Sequence, residues 1–278
     1  FMGSMVAIMT QWLMHTLRGL ERGTTPMVAR DHLVVLGWSN RTGAVIRELL
    51  GSEGRVRRFL RLRGASRLRI AVLAEEVDAA LRGELAGQVG ERFSNRQIVL
   101  RSGNPLRLEH LRRVDFARAA AILLPGREPL AGEAVDSDTE VIKTLASMAS
   151  AIDASADEAP PLVVAEIHDA REVPVAARLY GGSLEVVASG QLIGRLLAQA
   201  IRSPGLSHVY DELLRHDDDN ELYLRDVDEL SGARLDELGV AFPRAIPLGL
   251  VRVEEGAWRP YLGPGQGVTL RGGDRLVL

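Results

Sequence analysis

The chain has 278 residues, 46% of them hydrophobic and 26% charged, and its 34 basic and 37 acidic residues leave a formal net charge of -3. This composition predicts a globular protein of one large or two moderate domains, and the near-neutral charge argues against a nucleic-acid partner. Cysteine is absent and aromatic residues make up only 4%, so disulfides and thiolate catalysis are excluded and base-stacking surfaces are scarce.

The first thirty residues are interpreted as a tag remnant and a linker helix. FMGS at the start is typical of an expression tag, which puts the natural start near Met5. From Val6 to Leu20 apolar residues share one helical face, but the stretch is too short and too polar to span a bilayer. It is either a helix that packs on its own domain or a linker that follows a membrane segment.

Residues 31–50 predict a buried strand followed directly by a helix. Leu33 to Leu36 form an unbroken apolar run, as in a parallel strand covered on both faces. Gly37 ends this strand, and we expect Ser39 or Asn40 to cap the helix that follows. The pattern is that of the first unit of a dinucleotide-type fold.

The glycine fingerprint of that fold is incomplete in this chain. Of the three glycines in G-x-G-x-x-G, only Gly37 is present, because Ser39 and Thr42 occupy the other two positions. Gly43 follows one place late. The turn therefore leaves nucleotide binding open.

Further apolar runs, separated by helical patterns, predict four more strands. They extend over residues 70–73, 97–100, 119–124 and 161–167. A helix is expected over residues 136–151, and the basic run from Arg55 to Arg69 is expected to be a solvated helix end and loop. This alternation predicts a Rossmann-like, doubly wound parallel α/β sheet over residues 31–188.

Ligands of such a sheet bind where its strands end. Glu75 follows the second strand, where an acid accepts hydrogen bonds from ribose hydroxyls, although Glu76 could instead open the next helix. After the third strand, Gly103 permits a tight turn. The candidate cofactor-binding residues are Gly37, Ser39, Asn40, Gly43, Glu75, Arg101 and Asn104.

Two acidic groups are candidate cation sites, because carboxylate oxygens are the ligands that Ca²⁺ prefers. Glu166, His168 and Asp169 follow the fifth strand, where Asp169 could alternatively cap a helix. The second group is the run Asp217, Asp218 and Asp219, whose alternative is a solvated loop.

Two helices with unusually wide apolar stripes follow the sheet, within residues 189–218. One face of a helix is enough for packing on its own domain, so stripes this wide predict a second contact, with another subunit. The expected dimer-interface residues are Leu192, Ile193, Leu196, Leu197, Ile201, Leu206, Val209, Leu213 and Leu214. Residues 219–278 predict a smaller β-rich C-terminal lobe.

The motifs of common enzyme classes are missing. The chain contains no Tyr-x-x-x-Lys motif, no G-x-S-x-G elbow and no H-E-x-x-H zinc motif. No catalytic residue is therefore assigned, and a non-enzymatic role is expected.

Four stretches together resemble the cytosolic regulatory region of CASTOR and POLLUX type ion channels, a branch of the regulator-of-conductance (RCK, TrkA-like) family. They are HLVVLGWSNRTGAVIREL, VLRSGNPLRLEHL, LYGGSLEVVASGQLIGRLLAQAIRSPGL and GDRLVL. Many members of the wider family carry Gly-Asp after the third strand, whereas this chain has Gly103 followed by Asn104. The chain also ends after one regulatory unit, which is typical of an excised fragment.

The resemblance implies a ligand-sensing domain on the cytoplasmic face of the cell membrane. It would follow a pore helix of the same full-length chain, pair through its two apolar helices and build a homo-oligomeric gating ring for a potassium or calcium channel. The resemblance favours Ca²⁺ as ligand, and the fold allows NAD or another nucleotide. The alternatives are an NAD-dependent oxidoreductase and a soluble TrkA-like regulatory subunit of a separate transporter.

Overall fold

A computed structural model describes residue 11 and residues 22–65, 67–127, 137–152, 159–215, 222–240, 242–243, 245–254, 257–263 and 267–278. Apart from residue 11, the helix predicted over residues 6–20 lies outside these ranges, and so does the acidic run Asp217, Asp218 and Asp219. Contacts divide the chain into two compact units, with the boundary between Ser203 and Pro204. This boundary falls between the two apolar helices, which the sequence analysis groups as one segment. Within the described ranges, no helix combines the length and hydrophobicity that crossing a bilayer requires.

The first unit is built on a parallel sheet, and among the described residues this sheet has six strands in the order β3-β2-β1-β4-β5-β6. The reversal of strand order at β1 and β4 makes the sheet doubly wound, which confirms the predicted fold class. The strands are β1 (Leu33–Leu36), β2 (Ile70–Ala74), β3 (Ile98–Ser102), β4 (Ala121–Leu124), β5 (Leu162–Ile167) and β6 (Leu184–Ala188).

Helices connect these strands and cover the sheet. They are α1 (Thr42–Gly51), α2 (Glu53–Leu62), α3 (Ala79–Val89), α4 (Leu108–Leu111), α5 (Ser137–Ile152), α6 (Val173–Leu179) and α7 (Ser189–Arg202). Alternate residues of β1 pack into two separate apolar clusters, Val34 and Leu36 into one and Leu33 and Val35 into the other. Both faces of the central strand are thus buried, as its unbroken apolar run predicts.

Two parts of this unit were not predicted from the sequence. Strand β6 and the short helix α6 are both short, and β6 alternates between exposed and half-buried side chains. The basic run from Arg55 to Arg69 agrees with the expected helix end and loop, because the helix ends at Leu62 and Arg63, Arg67 and Arg69 follow it.

The segment before β1, residues 22–31, is held against the rest of the first unit by hydrogen bonds from its backbone. The backbone N–H groups of Met27 and Asp31 donate to the carbonyl oxygens of Arg113 and Arg118, at 2.9 and 2.8 Å. The N–H of Ala29 donates to the Asp115 carboxylate at 3.2 Å. These bonds hold the segment against residues 113–118, which lie between β3 and β4.

The second unit contains α8 (Leu206–Leu214) and an antiparallel sheet in the order β7-β10-β8-β9. The strands are β7 (Leu224–Asp226), β8 (Gly249–Glu254), β9 (Ala257–Leu262) and β10 (Arg275–Val277). Its own apolar cluster includes Leu235, Leu250 and Leu276, which are nearly fully buried. This is the small β-rich lobe that the sequence predicts.

Candidate functional site

A cleft of about 230 Å³ lies at the carboxyl ends of the strands in the first unit. Three of the candidate residues, Gly37, Glu75 and Asn104, line it, together with Trp38. Gly37 has φ 102°, a conformation that favours glycine, and its N–H donates to the Leu73 carbonyl at 2.9 Å. The turn after β1 therefore opens the cleft at the predicted place.

The same turn is closed by a threonine that the sequence analysis noted only as a missing glycine. The buried Thr42 hydroxyl accepts a hydrogen bond from the Ser39 N–H at 2.9 Å. The prediction that Ser39 or Asn40 caps α1 is wrong, because the N-cap residue is Arg41 and no side chain caps this end. The Ser39 amide, at the position of the second fingerprint glycine, is already bonded within the protein.

Arg41 connects the turn to the ends of two other strands. Its guanidinium donates to Glu166 Oε1 at 2.5 Å and to the Gly126 carbonyl at 3.2 Å. The Gly126 N–H in turn donates to Glu166 Oε2 at 3.0 Å. This network joins the loops after β1 and β4 to the end of β5, and it pairs the charge of the Glu166 carboxylate with that of Arg41.

A second arginine lies between acids that line the cleft. Arg127 approaches Glu75 at 3.7 Å and Glu140 at 3.8 Å, and its backbone N–H donates to the Ser137 hydroxyl. Glu75 is 67% exposed at its side chain. The helix that follows it is capped by Asp78, whose Oδ1 accepts from the Leu81 N–H, and not by Glu76.

The three residues proposed for a cation site after β5 are not assembled into one. Glu166 is bound by Arg41, and Asp169 binds Arg171, which lowers the pKa of the Asp169 carboxyl to about 2. His168 lies 3.4 Å from the buried Asp138. In the part of the chain that the structure describes, no group of three or more His, Cys, Asp or Glu side chains is arranged to hold a metal.

The remaining cofactor candidates lie away from the cleft. Asn40 is exposed, and Gly43 packs so closely on α3 that an added Cβ would lie 1.7 Å from the Gln88 side-chain oxygen. Arg101 donates to the Leu100 carbonyl, and burial together with Arg82 lowers its pKa. Gly43 therefore serves helix packing, and Arg101 is directed away from the candidate site.

A neighbouring pocket of about 410 Å³ shares Glu75, Glu76 and Asn104 with the cleft. It lies at the end of β3, and the segment before β1 supplies part of its wall. The other lining residues are Arg22, Thr24, Ser102, Gly103, Arg107, His110 and Arg113. Sequence reasoning missed the arginines, because Arg22 is far from Arg107 and Arg113 in the sequence and the three share no recognisable motif.

The proposed interface helices carry most of their apolar side chains on the surface. Exposure is 49% for Leu192, 51% for Ile193, 62% for Leu197 and 82% for Ile201 on α7. On α8, Val209 is 50% and Leu214 is 73% exposed. Leu196, Leu206 and Leu213 are half-buried.

The fold of the first unit places the chain in the class of proteins with a Rossmann-like α/β domain. The solved human SLO3 gating ring has the same overall fold, with a TM-score of 0.63 over 91% of this chain and 48% of that chain, at 13% identity. Residues 190–278 match the family model described as "Castor and Pollux, part of voltage-gated ion channel".

Curated relatives extend that match along the chain. It is 27% identical over 276 residues to the probable ion channel CASTOR of Oryza sativa subsp. japonica, and 26% identical over 274 residues to the probable ion channel SYM8 of Pisum sativum. Each alignment covers 99% of this chain but only 29% and 28% of the relative. The chain is thus similar to the Castor and Pollux ion channels over almost its whole length, which confirms the resemblance predicted from the sequence.

Proposed function

We propose that this chain is the ligand-sensing regulatory part of a cation channel and assembles into a gating ring on the cytoplasmic face of the membrane. The observation that carries the proposal is the match of 99% of the chain to ion channels. The folded first unit supports it, since a cleft at the strand ends gives a ligand a place to bind. A ligand that binds one conformation better than another shifts the population between them, and no chemical step is required.

The geometry of the turn after β1 weighs against a dinucleotide bound in the usual manner. In that fold, free amides of the glycine-rich turn and the helix N-terminus meet the pyrophosphate. Here the Ser39 amide is bonded to Thr42, and the Arg41 side chain is bonded to Glu166. A small ligand that binds the carboxylates of Glu75 and Glu140 suits the cleft better than a dinucleotide does.

Ca²⁺ remains the ligand favoured by the resemblance. Carboxylate oxygens suit this ion, and displacement of Arg127 would free Glu75 and Glu140 for it. The run Asp217, Asp218 and Asp219 is the other candidate.

Calorimetric titration of the 278-residue chain with Ca²⁺, NAD and ATP tests ligand sensing. We expect heat with Ca²⁺ and little or none with NAD. Currents of the complete protein, recorded across planar bilayers with and without the ligand that binds, then test whether binding changes conductance. Reduction of carbonyl substrates by NADH at a catalytic rate would instead favour the oxidoreductase, and an absence of current would favour the soluble transporter subunit.

Assembly is proposed through the exposed stripes on α7 and α8, each covered by a second copy of the chain. Covering the six most exposed side chains would contribute on the order of 10 kcal/mol before the cost of association, enough for a stable dimer. A two-fold axis would pair the same helices from both subunits. Such dimers would be the building block of the ring.

A further inference from the structure

The pocket at the end of β3 is rich in hydrogen-bond donors. Its lining residues include three arginines, Arg22, Arg107 and Arg113, whereas its acids are the exposed Glu75 and Glu76. The Arg113 guanidinium is held in place by a 2.5 Å hydrogen bond to the Ser102 carbonyl. Guanidinium groups bind phosphate and carboxylate oxygens through several N–H donors at once.

His110 adds a donor whose tautomer is fixed by the backbone. The Asn104 N–H donates to Nδ1 of His110 at 2.9 Å, so the neutral ring carries its proton on Nε2. Burial and the nearby charge of Arg113 lower the pKa of His110. At neutral pH the ring is therefore a neutral Nε2–H donor.

The wall between these groups is backbone with no room for a side chain. A Cβ added to Gly103 would lie 2.8 Å from His110 Cβ and 3.0 Å from Leu73 Cδ1. The Gly103 N–H donates to the Ala74 carbonyl at 2.7 Å, which holds the turn after β3 against the end of β2. The pocket thus has a fixed floor.

The segment before β1 completes the pocket on its open side. The Ser102 N–H donates to the Gly23 carbonyl at 2.9 Å, and the Ser102 hydroxyl donates to the Arg22 carbonyl. These two bonds bring Arg22 and Thr24 into the wall. The site is therefore formed jointly by β3, the turn after it and this preceding segment.

We propose that this pocket binds a small organic phosphate. The phosphate group contacts Arg22, Arg107, Arg113 and His110, and the hydroxyl groups of the ligand donate to Glu75 and Glu76. A volume of about 410 Å³ is within the usual range for small-molecule sites. Binding requires only this domain and does not depend on the proposed role in a channel.

Ribose 5-phosphate is a suitable probe, because it combines one phosphate with several hydroxyl groups. Calorimetry on the 278-residue chain should detect its binding, while ribose alone should not bind and inorganic phosphate should bind more weakly. Arg107→Gln and Arg22→Gln should each weaken binding about tenfold or more, since each removes a charge-assisted hydrogen bond. Arg112→Gln is the matched control, because this exposed neighbour does not line the pocket.

Two further measurements separate the proposal from its competitors. Hydrogen exchange of the Ser102 amide should slow when ribose 5-phosphate is present, because the ligand holds Arg22 against the pocket. The proposal is overturned if Arg107→Gln and Arg22→Gln bind the probe as the unmodified chain does, or if ribose binds as well as its phosphate. It is equally overturned if the chain floats with vesicles of phosphatidylinositol 4-phosphate in an Arg107-dependent manner but does not bind the soluble ester.

Discussion

At the scale of single residues, the buried hydroxyl of Thr42 gives the turn after β1 its shape. It is the acceptor for the Ser39 N–H, and both residues are almost fully buried. Thr42→Val keeps the side-chain volume but leaves a buried N–H without its acceptor. We expect the free energy of unfolding to fall by about 1 to 3 kcal/mol.

Urea denaturation would measure that loss, with Thr42→Ser as the control that keeps the hydroxyl. Thr42→Ser should lose less stability than Thr42→Val. Equal losses for the two variants would mean that the hydroxyl contributes nothing to the turn.

The second unit contains a buried ion pair between Arg252 and Asp274. Two hydrogen bonds of 2.8 and 2.6 Å join them, and the Asp274 side chain is 1% exposed. Arg252→Met would leave the Asp274 carboxylate buried and unpaired, which costs about 3 to 5 kcal/mol. Thermal unfolding should show the loss, and the double change Arg252→Met with Asp274→Asn should restore part of it.

The same pair predicts a dependence of stability on pH. Burial raises the pKa of Asp274, but hydrogen bonds from Arg252 and the Arg271 N–H outweigh it and hold the pKa below its usual value. The pair therefore stabilises the fold fully above the unfolded-state pKa of about 3.9, and this contribution is lost as the pH falls through the lower folded-state pKa. Denaturation curves between pH 6 and 2 should show this loss, and Arg252→Met should reduce it.

At the scale of elements, α7 is the best test of the proposed assembly. Leu197 is 62% exposed on its apolar stripe, so Leu197→Asp should leave the isolated fold intact. In a dimer it would bury an unpaired charge, and light scattering should report monomers at micromolar concentration. Val175→Asp is the control, because Val175 is 45% exposed on α6 and lies outside the stripe. A monomeric unmodified chain would contradict the proposal directly.

Much of the sheet is predictable from the sequence, because its central strands are buried on both faces. Every residue of β1 and β2 is buried, which requires the continuous apolar runs that mark them. Strand β6 lies at the edge of the sheet and alternates between exposed and half-buried residues. Its five-residue pattern is too weak to separate from the helix that follows.

The candidate site is less predictable, because side-chain direction and long-range partners are not written in local patterns. Glu166 and Asp169 lie close in sequence, yet one binds Arg41 and the other binds Arg171. The Arg41 partner is 125 residues away. The sequence predicts the edge of the sheet at which the cleft lies. Only the structure shows which of the acids there are already paired with an arginine.

At the scale of the whole molecule, each compact unit has its own apolar core. Trp38 lines the cleft of the first unit, and Trp258 stacks under Arg275 in the second, 4.9 Å from the ring centre. Arg252→Met should therefore destabilise the surroundings of Trp258 more than those of Trp38. Fluorescence during denaturation would measure this in two backgrounds that each keep one tryptophan, Trp12→Phe with Trp38→Phe and Trp12→Phe with Trp258→Phe. Equal shifts in both would mean that the units unfold together.

The bonded segment from residue 22 to residue 31 also has a mechanical consequence. Backbone hydrogen bonds hold it at Gly23, Met27 and Asp31, so only short stretches of the segment lie between fixed points. A force on the chain before Arg22 would be transmitted to the end of β3 with little loss. Conversely, a ligand that shifts the turn at Gly103 would also displace residues 22–31, because the strand and this segment would move as one rigid unit.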